Sequence, residues 1–165
     1  MNDQPPGGAP PVNPEQQGRA KTMMLLFALA AFMFVRGGHA ATHASTACTI
    51  SGTPGPDNLI GTPHRDVICG LGGNDVVDGN GGNDLIKGGP GDDTLGGGNG
   101  NDVIYGGPGN DRLQGDRGRD TIYGGPGNDK IFAWDGFADR IDGGPGNDRA
   151  WKDMLDHVVR VERLS

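Results

Sequence analysis

The chain is short of most residues that build an ordinary globular core. Of its 165 residues, 33% are hydrophobic and 5% aromatic. A non-periodic chain of that make-up does not offset its ordering entropy, so any structure must come from a pattern. Histidine and cysteine are almost missing from residues 52–151, where only His64 and Cys69 occur. Zinc and copper are thereby left without their usual ligands. No Ser/His/Asp or Cys/His set presents itself for nucleophilic catalysis, because His39 and His43 fall in the leader and His64 and His157 stand alone. The chain does not read as an enzyme. Glutamate is absent from residues 52–151 as well.

What the chain does have is aspartate and glycine, 33 residues being glycine. The formal net charge is −7, and residues 52–151 hold 16 Asp against 8 Lys or Arg. No basic run offers itself to phosphates, so nucleic acid is not an expected partner. A cation is. The choice of Asp over Glu fits a carboxylate held close to the backbone of a tight turn.

The N-terminus has a different composition. Residues 1–21 form a Pro/Gly-rich leader, expected to be disordered, that ends in Arg19 and Lys21. Residues 22–44 follow as a signal-peptide core and cleavage region. The apolar run Met23–Val35 has 13 residues, where a transmembrane helix needs about 20. Small-residue sites such as Gly38-His39-Ala40 and Thr42-His43-Ala44 follow it. The expectation is a secreted, extracellular protein with no stable membrane span once cleaved. The alternative is a cell-surface protein anchored by the uncleaved segment. In an oxidising compartment Cys48 and Cys69 are disulfide candidates, with two free thiols as the alternative.

From Gly52 the chain falls into blocks of nine: GTPGPDNLI, GTPHRDVIC, GLGGNDVVD, GNGGNDLIK, GGPGDDTLG, GGNGNDVIY, GGPGNDRLQ, GDRGRDTIY, GGPGNDKIF. AWDGFADRID (133–142) has one extra residue, and GGPGNDRAW (143–151) restores the pattern. Position six is Asp in every block: Asp57, Asp66, Asp75, Asp84, Asp93, Asp102, Asp111, Asp120, Asp129 and Asp148, with Asp139 holding the place in the longer block. Position eight is aliphatic from Leu59 to Ile141 and fades to Ala150. Glycines at positions one, two and four are expected to supply the positive φ of a tight loop. Positions seven to nine are long enough for a short strand, with the eighth side chain inward and its neighbours outward. One inward residue in nine makes a core only if the blocks stack, as in a solenoid. The GGPG copies at 88, 106, 124 and 143 recur at about two blocks, which predicts a two-sided coil of 18 residues.

These blocks resemble the RTX, or hemolysin-type, calcium-binding repeat, G-G-x-G-x-D-x-U-x with U a large aliphatic residue. The resemblance covers residues 52–151. It implies an all-β fold, a right-handed parallel β-roll, in a bacterial exported protein. It implies several Ca2+ ions between stacked loops, bound by the Asp residues named above and by loop backbone around Gly88, Gly89, Gly91, Gly106, Gly107, Gly109, Gly124, Gly125 and Gly127.

Stacking predicts one row of Asp at 57, 75, 93, 111, 129 and 148 and a second at 66, 84, 102, 120 and 139. Coils about 4.8 Å apart set like charges against each other at roughly 1 kcal/mol per pair in water, which opposes folding without metal. A hard cation reverses the sign, and carboxylates with carbonyls can supply the 6–8 oxygens calcium takes. His64 at position four, Arg117 and Arg119 beside Asp120, and the irregular block predict weaker sites at Asp66, Asp120 and Asp139.

Residues 45–51 are expected to cap the N-terminal end and residues 152–165 the C-terminal end. For the latter, Val159 and Val161 argue a strand, while Met154, Leu155 and Val158 argue a helical turn. Tyr105 and Tyr123 should stack on an outer face. The function expected is a structural or surface-interaction module that folds on calcium, with an unidentified cell-surface or extracellular-matrix partner. An adhesion or carbohydrate-binding face is one alternative, and an accessory subunit of a hydrolase or toxin is another.

Overall fold

A computed structural model describes residues 47–165. The leader and the signal-peptide core with its cleavage region lie outside the described residues. Among those described, every element is a β-strand, and no helix is long and apolar enough to cross a membrane. One sheet consists of β1 (Ile50–Ser51), β3 (Val67–Cys69), β5 (Leu85–Lys87), β7 (Val103–Tyr105), β9 (Thr121–Tyr123), β11 (Arg140–Asp142) and β13 (His157–Val159). The other consists of β2 (Asn58–Ile60), β4 (Val76–Asp78), β6 (Thr94–Asn99), β8 (Arg112–Arg117), β10 (Lys130–Ala133), β12 (Arg149–Lys152) and β14 (Arg163–Leu164). Odd strands pair with odd and even with even, always in parallel. The chain therefore crosses from one sheet to the other every half-turn, and Ile86 lies opposite Ile104 as Leu95 lies opposite Leu113. This is the two-sided, 18-residue coil that the repeat predicts, a parallel β-solenoid.

Most strands are three residues long because positions seven to nine are the ones free of loop duty, while β6 and β8 run on to six residues. Their central side chain enters the interior. Ile68, Ile86, Ile104, Ile122 and Ile141 come from one sheet, and Val77, Leu95, Leu113, Ile131 and Ala150 from the other, all buried in one cluster. The core is thus two facing files of aliphatic side chains, continuous because each coil covers the next. Positions seven and nine face out. Tyr105 and Tyr123, directly paired across β7 and β9, stack with centroids 4.8 Å apart. The extra residue of the 133–142 block is absorbed in the loop, since Ile141 still pairs with Ile122 and Ala150 with Ile131.

At the N-terminal end, Ile50 lies opposite Ile68 and Cys48 is disulfide-bonded to Cys69. At the C-terminal end the strand alternative holds. Val158 sits opposite Ile141, and Val158 and Val161 pack on the core. Met154 and Leu155 are exposed, so no helical turn folds them over the end.

Glycine serves two different purposes, and one of them departs from the expectation. From Leu71 to Gly127 positions two and four take positive φ, as at Gly107 (116°) and Gly109 (153°). Position one does not, and in every block except that of Ala133 it is glycine because there is no room for a side chain. A Cβ on Gly97 would lie 2.5 Å from Asp102 Oδ2 and 2.7 Å from the Gly115 carbonyl oxygen.

The fourth position offers a paired test. A Cβ on Gly109 would run into the Gly91 carbonyl at a strained φ, whereas one on Gly55 would meet nothing closer than Thr53 Oγ1 at 3.9 Å. Gly109→Ala is expected to cost roughly 3 kcal/mol and Gly55→Ala to be near neutral, measured by thermal unfolding of the two variants side by side.

Candidate metal centre

Each block turns from one sheet to the other through its first six residues, and the sixth is where the loop ends and the strand begins. The Asp there is drawn inward with the strand that follows it. From Asp66 to Asp148 every sixth-position Asp is buried. Stacking brings all the sequence-predicted aspartates into the two expected rows.

Within a row the carboxylates are linked by a repeated hydrogen bond. The backbone N–H of each Asp donates to Oδ1 of the Asp one coil further on. The distance is 2.8 Å from Asp57 to Asp75, Asp75 to Asp93, Asp93 to Asp111, Asp111 to Asp129 and Asp129 to Asp148. The second row repeats it from Asp66 through Asp84, Asp102 and Asp120 to Asp139. One carboxylate oxygen is thereby satisfied by the backbone.

The other oxygen is not. Oδ2 of Asp75, Asp84, Asp93, Asp102, Asp111, Asp120, Asp129, Asp139 and Asp148 is buried with no hydrogen-bond partner. Such atoms are costly and rare. Nine in register have a common cause. In most loops this oxygen lies against the position-one glycine, in the space its Cβ would fill, and a carbonyl of the next coil converges on the same place. Asp93 with Gly106 at Gly88, Asp111 with Gly124 at Gly106, and Asp129 with Gly143 at Gly124 are examples. Gly89, Gly107 and Gly125 donate their N–H groups to those carbonyls of Gly106, Gly124 and Gly143, and Gly91, Gly109 and Gly127 donate to Pro108, Pro126 and Pro145. One lone pair of each carbonyl remains. No group of three or more His, Cys, Asp or Glu side chains converges among the described residues. A cation here would be held by carboxylate oxygen plus backbone carbonyls, a hard, all-oxygen donor set. These residues fit calcium, which takes many oxygens in loose geometry, better than magnesium, which demands a strict octahedron.

The first coil differs. Asp57 Oδ2 accepts from the Thr53 N–H (2.6 Å) and hydroxyl (2.9 Å). Asp66 Oδ2 accepts from the Thr62 N–H (2.8 Å) and hydroxyl (2.7 Å), and its Oδ1 from the Thr49 hydroxyl (3.0 Å). Threonine at position two thus occupies Oδ2 of both carboxylates. Asp120 and Asp139, singled out in the sequence, keep the same ladder bond and the same unpartnered oxygen as the rest. The rows also run further than the repeat does. Asp139 N–H donates to Asp156 Oδ1 (3.0 Å) and Asp148 N–H to Glu162 Oε2 (2.6 Å). Shortened coils hid these two residues. The signal that remained was the aliphatic two places on, Val158 and Leu164.

Electrostatics separates the first coil from the interior. Hydrogen bonds from the Thr62 N–H and hydroxyl hold Asp66 below the usual carboxylate range. Burial, reinforced by the like charges of row neighbours, pushes Asp102 up to about 6, Asp111 to about 7, Asp120 to about 8 and Asp139 to about 7. The stacked N–H groups oppose this but do not cancel it.

A protein-family model described as the RTX calcium-binding nonapeptide repeat (4 copies) matches the chain over residues 49–77, 70–104, 78–113, 105–137 and 135–151. No curated protein and no solved structure matches it.

The raised carboxylates give the metal-free chain a definite pH dependence. A folded-state pKa above the ordinary 3.8 means that the rolled form takes up protons the unfolded form has lost. Its stabilisation is fully present below about pH 4 and is lost as pH rises to about 8. In chelator, the β signal in circular dichroism should be stronger at the acid end of this window and decline toward its alkaline end.

Proposed function

The chain belongs to the RTX calcium-binding nonapeptide repeat family, matched from residue 49 to residue 151, and on that premise we propose an exported, non-catalytic module that rolls up as calcium binds. The observation that carries this reading is the set of nine buried, unpartnered Oδ2 atoms. Bound calcium supplies the positive charge that such oxygens lack. The chain's own residues do the rest. Asp75, Asp93, Asp111, Asp129 and Asp148 on one side, and Asp84, Asp102, Asp120 and Asp139 on the other, present one oxygen each. The ladder bond at Oδ1 keeps that oxygen from rotating away, and in every one of these loops except that of Asp139, which begins with Ala133, the missing Cβ at position one keeps the space open.

Coupling of folding to calcium follows from the same geometry. Without the ion, rolling buries carboxylates that repel one another up each row, while the interior offers only two files of aliphatic side chains in return. An ion that binds the rolled form alone shifts the equilibrium by mass action. The threonine-closed loops at Asp57 and Asp66 argue for the weakest metal requirement in the first coil. Export is supported by the Cys48–Cys69 disulfide, since such bonds persist in oxidising compartments.

The test is circular dichroism of the purified chain in EDTA, then through a calcium titration, with magnesium in parallel. A cooperative gain of β signal with calcium and not with magnesium is expected. Asp93→Ala and Asp111→Ala should move the midpoint to higher calcium by about tenfold or more. A spectrum already β-rich at neutral pH in EDTA and indifferent to calcium would overturn the proposal.

A further inference from the structure

Cations that are scattered in the sequence are brought into line by the coil. Arg112, Lys130, Arg149 and Arg163 occupy the outward seventh position of β8, β10, β12 and β14. They are direct cross-strand partners: Arg112 with Lys130, Lys130 with Arg149, Arg149 with Arg163. All four are exposed. Among the described residues none of them is in an ion pair, the one salt bridge being Arg160–Asp142. Like charges directly opposite each other disfavour strand pairing. The fold does not require a cation there, because the same place in β2, β4 and β6 is held by Asn58, Val76 and Thr94. Arg149 Nε and an Nη group donate to the Ser165 hydroxyl, but no carboxylate neutralises any of these four positive charges, on a chain of net charge −7.

Two aromatic rings stand beside the file. Phe132 and Trp151 stack at 4.5 Å between centroids, the Arg112 guanidinium lies 4.0 Å from the Phe132 ring, and that of Arg149 lies 4.4 Å from the Trp151 ring. The rings are engaged within the protein, and they hold two of the cations in place.

The geometry points to the outer face of β8, β10, β12 and β14 as a binding surface for a linear acidic glycan, laid along the coil axis. Each coil presents one cation, about 4.8 Å from the next, to a polymer with a carboxylate or sulfate on each sugar. Nucleic acid fits less well. Single strands are gripped by stacking bases on free aromatic faces, and here the rings are already stacked. Duplex is read by a helix or ribbon entering a groove, and this face is a row of short strands with nothing protruding. The timing of binding rests on the calcium reading above. Residues 1–46 hold Asp3 and Glu15 against Arg19, Lys21 and Arg36, so the exported chain has a formal charge of −8 (−7 less 1), and four bound dications would bring it to zero, removing the long-range repulsion of a polyanion.

The test uses the calcium-saturated chain, titrated with heparin oligosaccharide and separately with oligo-dT. Arg112→Gln/Lys130→Gln/Arg149→Gln is compared with Arg65→Gln/Arg119→Gln/Arg140→Gln, which removes the same charge elsewhere. Lys130→Gln alone is the mild variant, should the triple fail to fold. Circular dichroism reports folding throughout. Heparin is expected to bind in a salt-dependent way, the first triple to weaken it roughly tenfold or more, and the second to leave it nearly unchanged. Equal weakening by both triples, tighter oligo-dT binding through the same residues, or no heparin binding by the parent chain would overturn the proposal. A circular dichroism signal indifferent to calcium would instead overturn the calcium reading, and the file would be judged by binding in EDTA.

Discussion

Everything in the roll is spaced by the bond between the backbone N–H of one aspartate and Oδ1 of the aspartate a coil away. It joins loop to loop at the strand-to-strand distance, so the loops stack in the same register as the sheets. It also divides each carboxylate. One oxygen becomes part of the backbone hydrogen-bond network, and the other is aimed at a place where only carbonyls and an absent Cβ surround it. Asparagine could accept the ladder bond but would bring a neutral amide to that place, and glutamate at interior positions would overreach it. The exclusive use of Asp from residue 57 to residue 148 follows from these two requirements together.

The glycines and the core follow from the same spacing. A coil that repeats at strand distance leaves no thickness for side chains where loops overlie loops. Position one is bare for Asp Oδ2 and the next carbonyl in every block but the one that begins with Ala133, and from Leu71 to Gly127 positions two and four turn through positive φ. What remains for hydrophobic burial is one side chain per half-turn. The interior is therefore narrow, and the rolled form depends on how its buried carboxylates are satisfied.

The period of nine, its doubling to 18, the inward aliphatic and the aspartate rows were legible in the sequence, because a stacked fold writes its contacts at constant separation. The Tyr105–Tyr123 stack was legible for the same reason, whereas the disulfide candidates came from the count of two cysteines and the expected oxidising compartment. Other features depend on atoms rather than on residue types. No pattern of letters says which carboxylate oxygen is free, or that Thr53 and Thr62 close the first loops. Position-one glycine looked like a turn former and is a spacer. Asp156 and Glu162 escaped because their coils are shortened. The basic file escaped because its members lie 14 to 19 residues apart and come together only across strands.

The threonines of the first coil give the solenoid a direction. In a uniform stack any coil could form first, and the ends would be equivalent apart from their caps. Here one end carries carboxylates whose Oδ2 is closed by threonine, on a turn pinned by a disulfide, while the coils beyond it leave that oxygen open. The two ends of the roll are therefore chemically unlike: the N-terminal turn closes its carboxylates with its own hydroxyls, and the length beyond it is left to a cation, like a spool whose first loop alone is tied.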